Sequence, residues 1–286
     1  MSNYRVGLAD PFSCEVNDVS LDQALEFAKD TARAAGALLR DYHQRGVQPE
    51  YKGEIDLITA ADRASEKLIL DRIRATYPEH AILSEESGAN QQTSRYQWIA
   101  DPLDGTTNFA HGFPAFSVTL ALLVDEVLEL GVTYDPLHDE LFAARRGRGA
   151  QLNDRAIHVS QTPLLDRALL CTGFPYDRRT NPRNNTRQFE AFLMQSQAVL
   201  RVGSAALDLA YVACGRLDGF WEFRLSPWDY AVGVLLVNEA GGQTSEPDGT
   251  ALRQWSGRVV ASNGLFHAEM IEVLAQSAAT WPLARD

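Results

Sequence analysis

Two aspartates stand three positions apart at the end of an apolar run. The run is QWIA at residues 97–100, and it opens into Asp101-Pro102-Leu103-Asp104-Gly105, whose residue types are those of a tight turn. Because Gly105 lets the backbone turn sharply, both carboxylates and the Leu103 carbonyl can converge on one point. Hard divalent cations prefer such a cluster of oxygens. The segment indicates a metal site, and the competing interpretation is a structural turn in which Asp101 caps a helix.

Other acidic residues occur where the sequence gives them no obvious solvent-facing role. Glu85 and Glu86 follow the short apolar run at 81–83, and Asp229 lies in the first turn of an otherwise apolar predicted helix. Asp56 is flanked by strand formers in IDLIT, a poor place for a charge without a partner. The glutamates and Asp229 also have ordinary structural explanations. Adjacent glutamates are usually solvated, and an acid in a first helical turn interacts favourably with the helix dipole.

Competing motifs fail on spacing. Asp101 and Asp104 form D-x-x-D and not the D-x-D of aspartyl-phosphate phosphatases, and an EF-hand that began at Asp101 would need glutamate where Gly112 stands. The sequence has no phosphate-binding G-x-x-x-x-G-K-[ST] loop and no H-x-x-x-H pair. Oxygen ligands therefore favour magnesium over zinc.

The composition limits the classes of partner. The 286 residues carry a net charge of -12, which disfavours binding to nucleic acid or to an anionic membrane surface. The three cysteines have no C-x-x-C spacing, so neither a disulfide framework nor a thiolate metal site is indicated. No signal peptide or membrane-spanning run is apparent. We expect a soluble, cytoplasmic protein.

The periodicity of apolar residues predicts the elements that position these acids. A helix is expected from Ser20 to about His43, and a second from Thr59 to the residue before Pro78. Residues 116–152 read as an antiparallel meander. Helices and strands then alternate, with strands at LLCTGF and FWEF and helices near 186–195, 204–214 and 227–240. We predict an N-terminal arm at 1–19, an N-terminal α+β half at 20–162 and a C-terminal half at 163–286, the two halves forming one compact unit.

Four segments together resemble the inositol monophosphatase family. They are DLITAAD, LSEES, DPLDGTTNF and PWDYAVGVLLVNEAGG, in that order, and the resemblance runs from about Ser20 to about Leu274. It implies an α+β fold of layered αβαβα architecture and a lithium-sensitive phosphomonoesterase. Two or three Mg²⁺ ions are expected as cofactors, with Mn²⁺ as a substitute and Li⁺ as an inhibitor, and the protein is expected to be a homodimer.

The resemblance also implies roles for individual residues. The metal ligands fall on Glu85, Asp101, the Leu103 carbonyl, Asp104 and Asp229. The catalytic residues are Thr106, which activates water with Asp56 behind it, and Glu85. The expected substrate-binding residues share positions around the phosphate and the alcohol: Asp104, Gly105, Thr106, Gly203, Ser204, Ala205 and Glu222.

Two departures from the family pattern bear on the site. Ser84 stands where many members have glycine, and Arg224 occupies a variable place beside Glu222 in the substrate wall. The expected substrate is inositol-1-phosphate, with histidinol phosphate second. Fructose-1,6-bisphosphate and adenosine 3',5'-bisphosphate stay open as substrates of more distant relatives. A further alternative is a non-enzymatic partner of transcription or ribosome-maturation machinery.

Overall fold

The computed structural model describes residues 19–46, 50–51 and 57–279. The predicted arm lies outside this range apart from its last residue, Val19. The first helix, α1, spans Leu21–Arg45, and Ser20 caps it by accepting a hydrogen bond from the Gln23 N–H at 3.5 Å. Its alanine-rich face, with Leu39, is fully buried. The predicted capped start of this helix is therefore confirmed.

A capping box opens the second helix. In α2, Ala60–Thr76, the Thr59 hydroxyl accepts from the first turn while the Asp62 carboxylate accepts from the Thr59 N–H. Five further helices follow: α3 (Thr106–Ala110), α4 (Thr186–Leu193), α5 (Ala205–Ala213), α6 (Pro227–Glu239) and α7 (His267–Ala279). Pro227 stands at the first position of α6, where its missing N–H costs nothing.

Two short strands lie between α1 and α2 in the chain, and the strands of the first large sheet follow α2. The pair β1 (Glu50–Tyr51) and β2 (Leu57–Ile58) forms a small antiparallel ribbon. The first large sheet then contains β3 (Ala81–Ser84), β4 (Gly88–Ala89), β5 (Tyr96–Asp104), β6 (Ser117–Val124), β7 (Val127–Asp135), β8 (Glu140–Arg145), β9 (Ala150–Leu152) and β10 (Arg155–Ala156). Its order is β10-β9-β8-β7-β6-β5-β3-β4, and only β3 and β5 are parallel. The run from β6 to β9 is the predicted antiparallel meander.

The second sheet has five strands. They are β11 (Leu169–Thr172), β12 (Ala198–Leu200), β13 (Gly219–Phe223), β14 (Gln243–Ser245) and β15 (Arg258–Ser262). The order is β12-β11-β13-β15-β14, with β12, β11 and β13 parallel. In an open sheet of this kind, ligand sites gather at the carboxyl ends of the parallel strands.

Helices separate and cover the two sheets. The helices α1 and α2 pack on the outer face of the first sheet, α5 and α6 lie between the sheets, and α4 and α7 cover the second sheet. This order of layers is the αβαβα architecture expected from the sequence. The chain passes from one sheet to the other between β10 and β11, and the predicted division at residue 162 stays a prediction. Among the described residues, no helix is both long and apolar enough to cross a bilayer.

Candidate active site

Strand β5 runs further than the sequence indicated. The turn residues were expected to end it near Ala100, whereas the strand continues to Asp104. Its pairing with β6 slips between Asp101, opposite Thr119, and Asp104, opposite Ser117. The extra residue makes a bulge, which re-aims side chains locally. Two carboxylates of one strand thereby reach the same point.

Three aspartates meet at this bulge. One carboxylate oxygen from each of Asp101, Asp104 and Asp229 lies within 4.8 Å of the others. Asp101 is 1% exposed, and its Oδ1 accepts a hydrogen bond from the Leu103 N–H at 2.9 Å. A cluster made of carboxylate oxygens alone suits a hard divalent cation.

The first turn of α6 delivers Asp229. Its Oδ2 accepts the Ser226 N–H at 2.7 Å, so the carboxylate also caps the helix. The Trp228 carbonyl accepts a hydrogen bond from the Thr119 hydroxyl of β6 at 3.2 Å. This contact fastens the start of α6 to the sheet that carries Asp101. Helix capping and site formation are therefore roles of the same side chain.

The start of α5 holds Asp104. The Ser204 hydroxyl donates to its Oδ2, and the Ala206 N–H donates to the same oxygen at 2.9 Å. These donors stabilise the charged carboxylate, and the positive end of the helix dipole adds to them. The structure thus places Ser204 and Ala205 beside the aspartate cluster, where both donate to Asp104.

Burial raises the pKa of each aspartate in the cluster, and repulsion adds to this effect for Asp101 and Asp229. Burial, followed by the charges of Glu85, Asp104 and Asp229, holds the pKa of Asp101 well above its usual range. Burial raises the pKa of Asp104 to about 6, against the lowering effect of Ser204. Burial and the Asp104 charge raise the pKa of Asp229 to about 7. Among the described residues no cation offsets the charge of the cluster, and a bound dication would do so.

Glu85 directly follows β3, and its charge acts on Asp101 of the neighbouring strand β5. Its N–H donates to the Ala100 carbonyl at 3.3 Å, directly after the parallel pairing of β3 with β5. The buried Glu66 carboxylate of α2 fixes the segment, because its Oε1 accepts from Ser84 Oγ at 2.6 Å and from the Ser87 N–H at 3.0 Å. Ser84, the departure from the family glycine, is therefore a donor to Glu66.

Thr106 and Asp62 form a hydrogen-bonded pair next to the segment that carries Asp101 and Asp104. Thr106 Oγ1 lies 3.1 Å from Asp62 Oδ1 and 3.0 Å from the Leu103 carbonyl. Thr59 holds the other oxygen of Asp62 through its N–H at 2.8 Å. Burial raises the pKa of Asp62, and its hydrogen bonds with Thr59 and Thr106 lower it. The sequence assigned this supporting position to Asp56, which lies outside the described residues, and it overlooked Asp62.

Gly105 makes the turn between β5 and α3 at φ +92°, a conformation that favours glycine. A Cβ there would lie 2.9 Å from the Ala115 carbonyl. The Asn108 side chain donates to that same carbonyl at 2.7 Å and to the Val202 carbonyl at 2.9 Å. Asn108 therefore ties the turn to the segment that contains Gly203.

Strand β13 carries Glu222, a second buried acid near the aspartate cluster. Its Glu222 is 8% exposed, and a Cβ on Gly173 would lie 2.2 Å from Glu222 Oε1. The absence of a side chain at Gly173 is what leaves room for the carboxyl group. Burial, then the charges of Asp208, Asp229 and Asp104, hold the pKa of Glu222 well above its usual range.

Asp208 is a buried acid that sequence reasoning missed. It stands inside α5, its Oδ1 has no partner among the described residues, and burial raises its pKa to about 8. Its carboxyl group contacts the Cys171 thiol of β11. An aspartate inside the apolar run AALDLAYVA was the available signal, because a charge in such a helix needs a partner.

The structure brings most of the predicted site residues together. Asp101, Asp104 and Asp229 converge, Glu85 lies beside them, and the Leu103 carbonyl contacts Thr106. Gly105 and Gly203 are in close contact, because a Cβ added to Gly105 would lie 3.4 Å from the Gly203 carbonyl oxygen. Glu222 is close enough for its pKa to respond to Asp229 and Asp104. Asp56 alone has no described position.

The sequence matches the model of the inositol monophosphatase family over residues 20–279. It is 46% identical to an inositol-1-monophosphatase of Synechocystis, with 88% of each chain covered. It is 43% identical to the Nus factor SuhB of Escherichia coli, with 84% of this chain and 91% of that protein covered.

The fold agrees with solved structures. The structure of an inositol monophosphatase from Anabaena is similar with a TM-score of 0.83 and 46% sequence identity. The similarity covers 92% of this chain and all of that one. An extragenic suppressor protein SuhB from Bartonella henselae is similar with the same TM-score and 38% identity, over 88% of this chain and 98% of that one.

Proposed function

Because this chain belongs to the inositol monophosphatase family, we propose that it is a Mg²⁺-dependent phosphatase that hydrolyses small phosphomonoesters, with inositol-1-phosphate as the first substrate. The family implies a divalent metal, and the three converging aspartates fit one. The finer choice of inositol-1-phosphate is supported by the Synechocystis relative, whose name gives that activity.

The single observation that carries the proposal is the clustering of one buried and two half-buried carboxylates, with no countercharge from the described residues. A fold gains nothing from holding Asp101, Asp104 and Asp229 within 4.8 Å of each other, because the charges repel. Bound dications would cancel this repulsion and present positive charge to a phosphate dianion. An acidic protein can then bind an acidic substrate.

We assign the metal to Glu85, Asp101, the Leu103 carbonyl, Asp104 and Asp229. All are oxygen donors, which favours Mg²⁺, with Mn²⁺ as a substitute. Held there, Mg²⁺ would lower the pKa of a bound water and stabilise negative charge on a departing alkoxide.

The other residues bind and orient. The N–H groups of Gly105 and Thr106 are assigned to the phosphate oxygens. The Thr106 hydroxyl orients the attacking water, and Asp62, at 3.1 Å from that hydroxyl, receives the proton through it. Glu85, next to Asp101, is assigned to the same water. Gly203, Ser204 and Ala205 form one side of the alcohol pocket and Glu222 the other.

Glu222 and Asp208 also favour a second substrate. Two buried acids on the alcohol side suit either the hydroxyls of a polyol or the ammonium of histidinol phosphate. Glu222→Gln distinguishes the two. A neutral amide still bonds to a hydroxyl and loses its attraction for an ammonium group, so the variant would discriminate strongly only against histidinol phosphate.

Phosphate release from a panel of esters tests the activity. The panel contains inositol-1-phosphate, histidinol phosphate, fructose-1,6-bisphosphate and adenosine 3',5'-bisphosphate, each with and without millimolar Mg²⁺. We expect release only with the metal, fastest from inositol-1-phosphate, and inhibition by Li⁺. Release that persists in a chelator would contradict the metal assignment.

The relative named a Nus factor supports a second candidate function, binding to transcription machinery. Absence of phosphate release from the whole panel, together with retention of the protein on immobilised transcription complexes, would favour that function. A cytoplasmic homodimer remains our proposal, and sedimentation of the purified chain tests the dimer.

A further inference from the structure

A buried asparagine joins two parallel strands of the second sheet. Asn185 is 2% exposed and stands directly before α4. Its Nδ2 donates to Thr172 Oγ1 at 2.8 Å and to the Gly173 carbonyl at 2.7 Å, and its Oδ1 accepts from Trp221 Nε1 at 2.7 Å. Thr172 ends β11, and Trp221 lies opposite it on β13. The amide therefore contacts both strands near their carboxyl ends, where ligand sites gather in such a sheet.

The partners of this amide fix its orientation. Thr172 Oγ1 receives one amide hydrogen and donates its own hydrogen to the Trp221 carbonyl. The Trp221 indole only donates and the Gly173 carbonyl only accepts, so a flipped amide would lose both contacts. Asn185, Thr172 and Trp221 thus form a closed circuit of hydrogen bonds, in which the amide oxygen and nitrogen both have partners.

The backbone at this position also favours asparagine. Asn185 has φ +68°, in the left-handed region that few side chains adopt and that asparagine tolerates. Glycine would tolerate the conformation but would supply no amide, and ionised aspartate would supply acceptors and no donor. Of these three residue types, only asparagine meets both requirements.

The contacts of Asn185 surround Glu222. The Glu222 carboxyl group packs against the bare Cα of Gly173, since a Cβ there would lie 2.2 Å from Oε1. The Gly173 carbonyl is held by Asn185 Nδ2. Trp221, which precedes Glu222 in β13, is held by Asn185 Oδ1. The place of the carboxyl group is therefore set through two residues that share one buried amide.

We propose that Asn185 is a positioning residue for substrate binding. Through Gly173 and Trp221 it holds the Glu222 carboxyl group where that group accepts hydrogen bonds from hydroxyls of the alcohol portion. The proposal rests on the proposed function, which assigns Glu222 to the alcohol portion, and it adds the residue that keeps Glu222 in place. Asn185 itself does not touch the substrate, because its amide is buried and occupied.

Asn185→Gly removes the amide and keeps the left-handed backbone. Steady-state phosphate release at saturating Mg²⁺ is measured for inositol-1-phosphate and for phenyl phosphate, whose alcohol portion offers Glu222 no further hydroxyl. We expect KM for inositol-1-phosphate to rise about three- to tenfold, as for a weakened hydrogen bond, with little change in kcat. Both parameters for phenyl phosphate should remain close to the wild-type values. Equal changes in KM for the two esters, or no change for inositol-1-phosphate, would overturn the proposal.

A double variant separates positioning from a general loosening of the fold. If Asn185 acts through Glu222, Asn185→Gly should change KM little further in protein that already carries Glu222→Ala, because coupled neighbours are not additive. Additive effects on KM would contradict the proposal.

Asn184→Ala is the matched control. This adjacent asparagine bonds the Arg178 carbonyl and the Thr186 N–H within its own segment, so its loss should leave KM unchanged. Thr172→Val is a second variant, for use if Asn185→Gly folds poorly. It removes the hydroxyl that links Asn185 to the Trp221 carbonyl and should raise KM for inositol-1-phosphate by a smaller factor. An unchanged KM in Thr172→Val would count against the proposal.

Crystal structures of the wild type and of Asn185→Gly separate this proposal from the proposed function. We expect Gly173 and the Glu222 carboxyl group to be displaced in the variant. Such a displacement would support Asn185 even if the wild-type protein releases no phosphate, in which case only the phosphatase assignment fails. A Glu222 carboxyl group that keeps its wild-type place in the variant would refute the proposal, whatever the activity.

Discussion

The hydroxyl of Thr106 lies 3.1 Å from the carboxylate of Asp62, and the two come from separate helices. Thr106 begins α3 after the β5 bulge, while Asp62 stands in the first turn of α2. The capping box with Thr59 occupies the second oxygen of Asp62, so the first is the one available to Thr106.

Replacing Asp62 by asparagine should impair turnover more than binding. The amide cannot receive a proton from Thr106, and general-base contributions are typically about 10²- to 10⁴-fold, so kcat should fall within that range with KM little changed. The matched variant Asp56→Asn decides between the two acids. A larger loss in Asp56→Asn than in Asp62→Asn would restore the role first predicted for Asp56.

Replacing Asp101 by asparagine should stabilise the metal-free protein and abolish activity. Asp101 has a raised pKa when folded, so the unfolded chain holds fewer protons above the ordinary aspartate range, and stability falls as pH rises. Removing the charge should raise the free energy of unfolding at pH 8 in a chelator. Thermal unfolding with and without Mg²⁺ measures this. Equal stabilisation of wild type and variant by Mg²⁺ would exclude Asp101 as a ligand.

Replacing Ser204 by alanine should weaken metal binding through Asp104. The variant loses the hydroxyl that donates to Asp104 and that caps α5. Outer contacts of this kind are typically worth about 10- to 100-fold in metal affinity, so the Mg²⁺ concentration for half-maximal activity should rise by that order. Ser204→Thr keeps the hydroxyl and serves as the control. An unchanged Mg²⁺ requirement in the alanine variant would separate Ser204 from the metal site.

Replacing Gly173 by alanine should displace Glu222. The new methyl group would lie 2.2 Å from Glu222 Oε1 in the present arrangement, so the carboxyl group must move. We expect KM for inositol-1-phosphate to rise about three- to tenfold, with a smaller effect on kcat, as for loss of a hydrogen bond. Gly219→Ala is the control, because it meets Leu170 and Met270 in the core. It should lower stability without raising KM.

Acid should destabilise the protein through His80. This buried ring accepts the Trp98 indole N–H at 3.0 Å and stacks between Tyr77 and Tyr96. Burial lowers its pKa to about 4 from an ordinary value of 6.5. As pH falls below about 6.5 the unfolded chain takes up the proton first, so the free energy of unfolding decreases between pH 6.5 and 4.

Urea unfolding at several pH values measures this loss. His80→Gln cannot titrate, so its stability should fall less steeply over the same interval. His111→Gln, at an exposed position, should retain the steep dependence of the wild type. Identical slopes for wild type and His80→Gln would assign the acid sensitivity to other groups.

The helices and the meander could be predicted because their causes are local. Ser20 and Thr59 cap helices through residues within the next turn, and the apolar periodicity continues from each cap. The course of β5 was less predictable. Its turn-like residues predict an early end, whereas pairing with β6 extends the strand to Asp104. The register shift at the bulge depends on the partner strand, which the local sequence does not reveal.

The site residues also divide into those with a local sequence signal and those without one. Asp101 and Asp104 are recognisable by spacing, and Asp229 by its place in a family motif. Asp62 was missed because an acid in a first helical turn has a sufficient local role, although its reciprocal bond with Thr59 was visible as a pattern.

The three clustered aspartates reach one point from different layers of the molecule. Asp101 and Asp104 arrive on the first sheet, while Asp229 arrives on a helix packed between the two sheets. During refolding, neither half alone can offer the complete coordination sphere. Uptake of the ion should therefore coincide with docking of the layers, and the moment at which catalysis returns should report completion of the native topology.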